Sequence, residues 1–168
     1  DLGETVVDIT AAGYQTCALL ASGKVKCWGY NAYGQLGYGD KTDRGDNPAE
    51  MGANLLYVDL GETVVQLMAG VYHTCALLAS GKVKCWGFNG YGQLGYGDKT
   101  DRGDNPDEMG SNLLYVDLGE TVVAITAGGY HTCALLASGK VKCWGYNLDG
   151  RLGYGDTNHR GDQLNEMG

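Results

Sequence analysis

Residues 17–28, "CALLASGKVKCW", recur without change at residues 75–86 and 133–144. Each copy places one cysteine before and one cysteine after the turn sequence "ASG". A three-residue hairpin loop commonly ends on a glycine in the left-handed conformation, which matches Gly23. The stretch therefore predicts a β-hairpin in which Cys17 lies directly opposite Cys27.

The register of this hairpin predicts the pairing of the cysteines. If Leu20 and Lys24 close the loop, the alternation of an antiparallel ladder makes Cys17 and Cys27 a non-hydrogen-bonded pair. The Cα atoms of such a pair lie about 4.5 Å apart, within reach of a disulfide. We therefore predict three disulfides: Cys17–Cys27, Cys75–Cys85 and Cys133–Cys143. Two alternatives remain open, namely zinc bound by the thiolates and reduced cysteines buried in the core.

The amino-acid composition and the cysteines limit which cellular compartment and which classes of partner we expect. Disulfides persist in oxidising compartments, so the pairing predicts an extracellular, periplasmic or cell-surface location. No apolar run approaches the roughly 18 residues of a membrane-spanning helix, and we expect no membrane insertion. The 12 basic and 20 acidic residues give a net charge of −8. This charge disfavours a nucleic-acid partner, because binding to phosphates requires a basic surface.

The hairpin belongs to a longer repeated unit. "DLGETVV" begins at Asp1, Asp59 and Asp117, which divides the chain into repeats at residues 1–58, 59–116 and 117–168. Four β-type runs recur in the first two units; in the first they are "VVDITA", "QTCALLA", "KVKCWG" and "NLLYVDL", and the third, truncated unit lacks the fourth run. No stretch keeps a helical apolar period for three turns. The sequence therefore predicts an all-β protein of three near-identical 58-residue repeats, each with about four antiparallel strands.

Both faces of the predicted hairpin carry apolar side chains. The register separates them into two sets: Cys17, Leu19, Val25 and Cys27, and Thr16, Ala18, Leu20 and Trp28. A blade packed between two others needs two such faces, whereas a sheet with one face in water does not. The outer repeats would leave one face each uncovered. We therefore expect the chain to associate with itself head to tail, as a closed ring or a filament.

Residues 69–98, "AGVYHTCALLASGKVKCWGFNGYGQLGYGD", resemble the regulator-of-chromosome-condensation repeat, including its secreted bacterial type. The family pattern is Gly-x-x-His-Thr-x-Ala-Leu, then Gly-x-Val-x-x-Trp-Gly, then Asn-x-x-Gly-Gln-Leu-Gly. The matching residues are Gly70, His73, Thr74, Ala76, Leu77, Gly81, Val83, Trp86, Gly87, Asn89, Gly92, Gln93, Leu94 and Gly95. The resemblance implies a β-propeller of four-stranded blades. Family members include a nucleotide exchange factor, ubiquitin-ligase subunits and secreted bacterial proteins.

Several positions depart from the family pattern. Gln15 replaces the histidine of the first repeat, Arg151 replaces the glutamine of the third, and Lys26, Lys84 and Lys142 stand where the family often has an aromatic residue. No segment matches the catalytic wedge of the exchange factor. No nucleophile and base surround His73 or His131, so we expect these histidines to be structural and the chain not to be an enzyme. His159 is expected to be solvated in a loop.

The acidic segment that follows each hairpin is a weak candidate for calcium. Carboxylate oxygens on a tight loop are the ligands that calcium prefers. The candidate residues are Asp40, Asp43, Asp46, Asp98, Asp101, Asp104, Asp156 and Asp162. The alternative is that these aspartates cap turns through bonds to the backbone, and this alternative also applies to the "RGD" tripeptides that begin at residues 44, 102 and 160. No other cofactor is expected.

Aromatic residues crowd the glycine-rich loops after the hairpins. The candidate ligand-binding residues are Tyr30, Tyr33, Tyr38, Phe88, Tyr91 and Tyr96. Amphipathic rings of this kind can bind a protein or a glycan, and they can equally pack within a propeller. The sequence therefore favours a non-enzymatic repeat scaffold that associates with itself. The second hypothesis is a protein- or glycan-binding propeller module.

Overall fold

Three separate antiparallel sheets make up the computed structural model, which describes residues 1–167. Each sheet has three strands in sequence order, and together they confirm the all-β fold of propeller-type blades. Their bounds are β1 Val6–Ala11, β2 Gln15–Leu20, β3 Val25–Gly29, β4 Val64–Ala69, β5 His73–Leu78, β6 Val83–Gly87, β7 Val122–Ala127, β8 His131–Leu136 and β9 Val141–Gly145. No helix within residues 1–167 has the length and apolar character needed to cross a bilayer.

The hairpin between β2 and β3 has the predicted register. Leu20 N donates to Lys24 O at 2.9 Å, and Gly23 takes a φ of 77°. Cys17 lies opposite Cys27 with their Cα atoms 4.1 Å apart, and the other two pairs repeat this arrangement. A Cβ on Gly23 would lie 2.3 Å from Thr63 Cγ2. Glycine is thus required here both by the turn and by the approach of the next blade.

The fourth β-type run of the first two repeats does not form a regular strand. A short 3-10 turn at Gly52–Asn54 precedes it, and only Val58 bridges to β3, through its N–H to Val25 O at 2.9 Å. The hydroxyl of Tyr38 lies between the two segments. It accepts a bond from Cys27 N at 3.0 Å and lies 3.1 Å from Leu56 O. A side chain therefore occupies the place where ladder hydrogen bonds would continue.

Neighbouring blades pack through two complementary faces. We call the first the cysteine face; in the first blade it consists of Cys17, Leu19, Val25 and Cys27. We call the second the tryptophan face; in the middle blade it consists of Val64, Leu67, Ala76, Leu78 and Trp86. The cysteine face of the middle blade packs in the same way on the tryptophan face of the third. The prediction that a blade between two others buries an apolar face on each side is confirmed for the middle blade.

The glycine-rich motif after each hairpin also belongs to a joint. The backbone oxygen of Gln35 accepts bonds from Thr74 Oγ1 at 2.8 Å and from Trp86 Nε1 at 3.1 Å, both in the next blade. Gln93 accepts the equivalent bonds from Thr132 and Trp144. The buried hydroxyl and indole donors are thereby satisfied.

The second lysine of each hairpin, which in the middle blade is Lys84, has a structural role. The ammonium of Lys84 donates to Leu60 O at 2.9 Å and to Gly110 O at 2.7 Å, and it lies 5.0 Å from the ring centre of Tyr115. Burial lowers the pKa of this amine. Backbone carbonyls and an aromatic face can hold a cation at a position where the family often has an aromatic residue.

Candidate functional site

Two loops of each blade meet at one end of its sheet and bring their aromatic rings together. The turn between β1 and β2 carries Tyr14, and the loop after β3 carries Tyr30. Tyr30 N donates to Tyr14 O at 2.9 Å, and the same bond recurs in the other two blades. The rings form one continuous aromatic surface across the three blades: Tyr14, Tyr30, Tyr33, Tyr72, Phe88, Tyr91, Tyr130, Tyr146 and His159.

Most of these rings touch edge to face. Tyr33 lies 5.2 Å from Tyr72, and Tyr91 lies 4.9 Å from Tyr146, measured between ring centres. One pair is stacked, because Tyr14 lies parallel to Tyr72 at 5.0 Å with an interplanar angle of 7°. Contacts of both kinds suit the ring quadrupoles. Within this surface Tyr14 is 53% exposed and Tyr30 is 38% exposed, so part of it remains open to a partner.

The aromatic surface contains four of the six residues expected to bind a ligand. Tyr38 and Tyr96 lie elsewhere, because their hydroxyls bond to the backbone of Cys27 and Cys85. Burial raises the pKa of Tyr38 to about 12. The hydroxyls of these two tyrosines therefore hold the loop against the hairpin, apart from the aromatic surface.

Sequence reasoning missed the tyrosines of the β1–β2 turns. Tyr14, Tyr72 and Tyr130 recur with the repeat period, and Tyr146 repeats the position of Tyr30. A tyrosine that recurs in a tight turn, outside every apolar alternation, was the signal that could have identified them. Their proximity to the loop after the hairpin follows from the antiparallel sheet, in which the start of one strand lies beside the end of its neighbour.

The aromatic surface is largely uncharged at neutral pH. A hydrogen bond with the Tyr14 hydroxyl raises the pKa of Tyr72 to about 12. Within residues 1–167 the one cation beside these rings is at the third blade, where the Arg151 guanidinium lies 4.7 Å from the centre of Tyr146. Arg151 Nε also donates to Asp149 Oδ1 at 2.7 Å, so the charges of this pair offset each other. The surface thus offers apolar ring area and phenol hydroxyls.

The sequence led us to expect His159 to be solvated in a loop, but the structure shows that it is half-buried. Its Nδ1 accepts a bond from Asn147 N at 3.0 Å, and its ring centre lies 5.2 Å from that of Tyr146. Asp43 and Asp101 accept the equivalent backbone bond in the other blades. The histidine therefore performs the anchoring role of an aspartate and extends the aromatic surface.

His73 lies in the joint between the second and third blades, whereas His131 is only half-buried in the third blade. His73 is fully buried, with Nε2 2.9 Å from Thr132 Oγ1, and burial lowers its pKa to about 3. A Cβ on Gly70 would lie 2.2 Å from the His73 ring, which explains the glycine three residues before it. Gln15 takes the same place in the first blade and donates to Gly70 O at 2.9 Å.

The acidic residues proposed for calcium bind protein groups instead. Asp40 pairs with Arg44 at 2.7 Å, Asp43 accepts from Asn31 N at 2.7 Å, and the pattern repeats in the second blade. Among residues 1–167 no group of three or more His, Cys, Asp or Glu side chains is arranged to hold a metal ion. The pairing of Arg44 also engages the arginine of the first "RGD" tripeptide within its own loop.

Comparison with known proteins identifies the family. A sequence model of the regulator of chromosome condensation (RCC1) repeat matches residues 6–35, 64–93 and 122–151, and a second RCC1 repeat model matches residues 22–77 and 80–135. The chain belongs to the RCC1 repeat family. The matched segments contain the hairpin, its disulfide and the motif that bonds each blade to the next.

Relatives and solved structures agree with this family. The chain is 36% identical over 154 residues to the probable E3 ubiquitin-protein ligase HERC4 of Homo sapiens, a match that covers 92% of this chain and 14% of the relative. It is 32% identical to the ultraviolet-B receptor UVR8 of Arabidopsis thaliana, over 90% of this chain and 32% of the relative. The crystal structure of Prp20p from Saccharomyces cerevisiae aligns with a TM-score of 0.71 at 19% identity, over 93% of this chain and 37% of that one.

These matches describe a repeat domain. RCC1-type propeller repeats typically mediate protein interactions, and the chain spans a small part of the relatives it matches. The activity of the ubiquitin ligases belongs to the whole proteins. The same RCC1-type fold is consistent with the expectation that no cofactor is bound.

The predicted extracellular, periplasmic or cell-surface location is wrong, because the homologous proteins HERC4 and UVR8 are intracellular. The cysteines misled the prediction for a physical reason. Cys17, Cys27, Cys75 and Cys85 are completely buried in the joints, where cysteine also serves as a small apolar residue. A buried cysteine pair therefore does not by itself define the redox compartment.

Proposed function

We propose that this chain is a protein-binding repeat module and that the aromatic surface is its binding surface. Tyrosine is enriched at the centres of protein interfaces, because it buries a large ring while keeping a polar hydroxyl. The observation that carries the proposal is the continuity of the rings across three blades, with Tyr14 and Tyr30 exposed.

A protein suits this surface better than a glycan does. A sugar needs a free aromatic face on which to stack, but most rings here present edges to their neighbours and cover one another. A protein partner can instead bury the mosaic of ring edges and hydroxyls as a single patch. The scarcity of net charge on the surface favours a partner segment rich in apolar and neutral polar groups.

Site-specific photocrosslinking tests this proposal. A benzophenone amino acid at Tyr14 is expected to crosslink a discrete partner protein in cell extract, and Tyr30→Ser with Tyr130→Ser in the same chain is expected to abolish the crosslink. The control places the benzophenone at Leu114, which is 65% exposed but lies outside the aromatic surface. Equal crosslinking at the two positions, or no effect of the serine substitutions, would refute the proposal.

Self-association is a second candidate, favoured by the outer faces of the first and third blades. Val141 of the third cysteine face is 60% exposed, and Ile9 of the first tryptophan face is 61% exposed. Their counterparts inside the joints, Val25 and Leu67, are almost completely buried. We propose that two copies can join head to tail by packing these faces together, as a ring or a filament.

Sedimentation velocity of the purified chain tests this second proposal. Head-to-tail association is expected to give species heavier than 17.8 kDa, with a mass that rises with concentration. Val141→Asp is expected to abolish the heavier species, because it places a carboxylate on the face to be buried. A single species of 17.8 kDa at all concentrations up to about 1 mM, where even a weak complex of roughly −4 kcal/mol is half formed, would refute self-association.

A further inference from the structure

Each internal joint contains one lysine that reaches across to the acidic loop of the next blade. Lys41 Nζ lies 2.9 Å from Asp104 Oδ2, and Lys99 Nζ lies 3.0 Å from Asp162 Oδ2. The two aspartate side chains are only 9% and 7% exposed. The joint therefore takes a carboxylate largely out of water and supplies its counter-ion from the blade before it.

Further carboxylates stand beside this ion pair. In the middle blade Asp101 and Glu108 also act on Lys41, and Glu108 Oε2 accepts bonds from Gly103 N and Asp104 N. Burial is the largest cause that raises the pKa of Asp101, and Lys41 acts against it. The lysine thus offsets a cluster of acidic groups at the joint, which we call the acidic cluster.

The outer faces of the chain lack this compensation. The acidic cluster of the first blade consists of Asp43, Asp46 and Glu50, and Asp46 is exposed with no lysine or arginine at ion-pair distance in the described part of the chain. At the other end, Thr157 stands where the first two blades have Lys41 and Lys99. The remaining charges of that loop are already engaged: Arg160 pairs with Asp156 and Arg151 with Asp149.

We propose that the missing lysine at position 157 makes the joint between two copies much weaker than the joints within one copy. The inference rests on the head-to-tail association proposed above. In that joint Thr157 of one copy would face Asp43, Asp46 and Glu50 of the next, and Asp46 would lose water without gaining a cation. Assembly is then weak and reversible.

The variant Thr157→Lys tests the inference directly. It is expected to tighten association about tenfold or more, as close charge pairs at interfaces do. Asn158→Lys is the matched control, because it adds the same charge one residue away on an exposed side chain, and it is expected to leave the association constant within about threefold of the parent, in the range of a rim charge. Asp46→Asn is expected to tighten association as well, and to remove most of the further gain from Thr157→Lys.

Sedimentation equilibrium at neutral pH of the parent chain, the three single variants and the double variant of Asp46→Asn with Thr157→Lys separates the outcomes. If the parent chain associates but Thr157→Lys is no tighter than Asn158→Lys, the charge inference is refuted and self-association stands. If neither the parent nor Thr157→Lys associates, the proposed self-association itself is refuted. A parent chain that already associates as tightly as Thr157→Lys also overturns the inference.

Discussion

The middle and last copies of the hairpin share one sequence but differ in their surroundings. Val83 and Leu77 of the middle copy are 0% and 4% exposed, whereas Val141 and Leu135 of the last copy are 60% and 39% exposed. The strands keep the same register in both. Local sequence therefore determines the hairpin, and the neighbouring blade determines which of its side chains become core.

The largest expected difference between the two copies comes from a buried charge. Val83→Asp is expected to lower the free energy of unfolding by about 4 kcal/mol or more, because its carboxylate would be buried in the joint without a partner. Val141→Asp is expected to lower it by less than about 1 kcal/mol, since that position already faces water. Urea unfolding followed by tryptophan fluorescence measures both. Similar losses for the two variants would contradict the described burial.

The three disulfides are expected to differ in how easily a reductant reaches them. Replacing Cys75 and Cys85 together by alanine is expected to cost about 2–3 kcal/mol, the value for a short loop in the chain-entropy model. Cys133–Cys143 is expected to be reduced by dithiothreitol before the other two pairs, because it lies on the uncovered cysteine face.

Peptide mapping without reductant, at successive times of reduction, measures this order. Each cysteine is expected to be joined to the partner in its own hairpin. Free thiols in protein purified under oxidising conditions, bonds between repeats, or simultaneous reduction of the three pairs would contradict this prediction.

The repeated histidines are expected to give a smaller difference, in the pH dependence of the free energy of unfolding. The folded state lowers the pKa of His73 to about 3, so between about pH 6.5 and 3 the unfolded state binds more protons. The free energy of unfolding should therefore fall as the pH drops below about 6.5, and His73→Gln should reduce that fall. His131, which is less buried, also has a lowered pKa, and His131→Gln should change the slope less.

Urea unfolding at several pH values between 7 and 4 measures these slopes. The glutamine variants are conservative, since Gln15 already fills the equivalent place in the first blade. A slope for His73→Gln equal to that of the parent protein would show that His73 does not titrate on unfolding.

Calcium is expected to produce the smallest effect. The aspartates of the covered loop after β6 and of the exposed loop after β9 both bond to arginine and to backbone groups. Millimolar calcium or a chelator should therefore change the Tm by less than about 1 °C, because an ion stabilises only a protein that binds it in the native state. A shift of the Tm by several degrees in differential scanning calorimetry would instead support calcium binding.

The hairpin and its faces could be predicted from the sequence because they depend on short-range geometry. The loop length sets the register, and the register places Cys17 opposite Cys27 and separates the two apolar faces. The fourth run could not be predicted in the same way. "NLLYVDL" has strand-like composition, but the Tyr38 hydroxyl, which is distant in sequence, occupies its hydrogen-bonding edge.

The sequence by itself determined the repeat, the all-β fold, the hairpin register and the RCC1 family, because each of these follows from local spacing that is repeated along the chain. Only the tertiary structure showed the aromatic surface, since Tyr14 and Tyr33 come together with Tyr72 only when two blades pack. It also determines how far equivalent residues are buried: Val83 is buried and Val141 is exposed. The physical reason is that burial depends on which surface covers a residue, and that surface belongs to another blade.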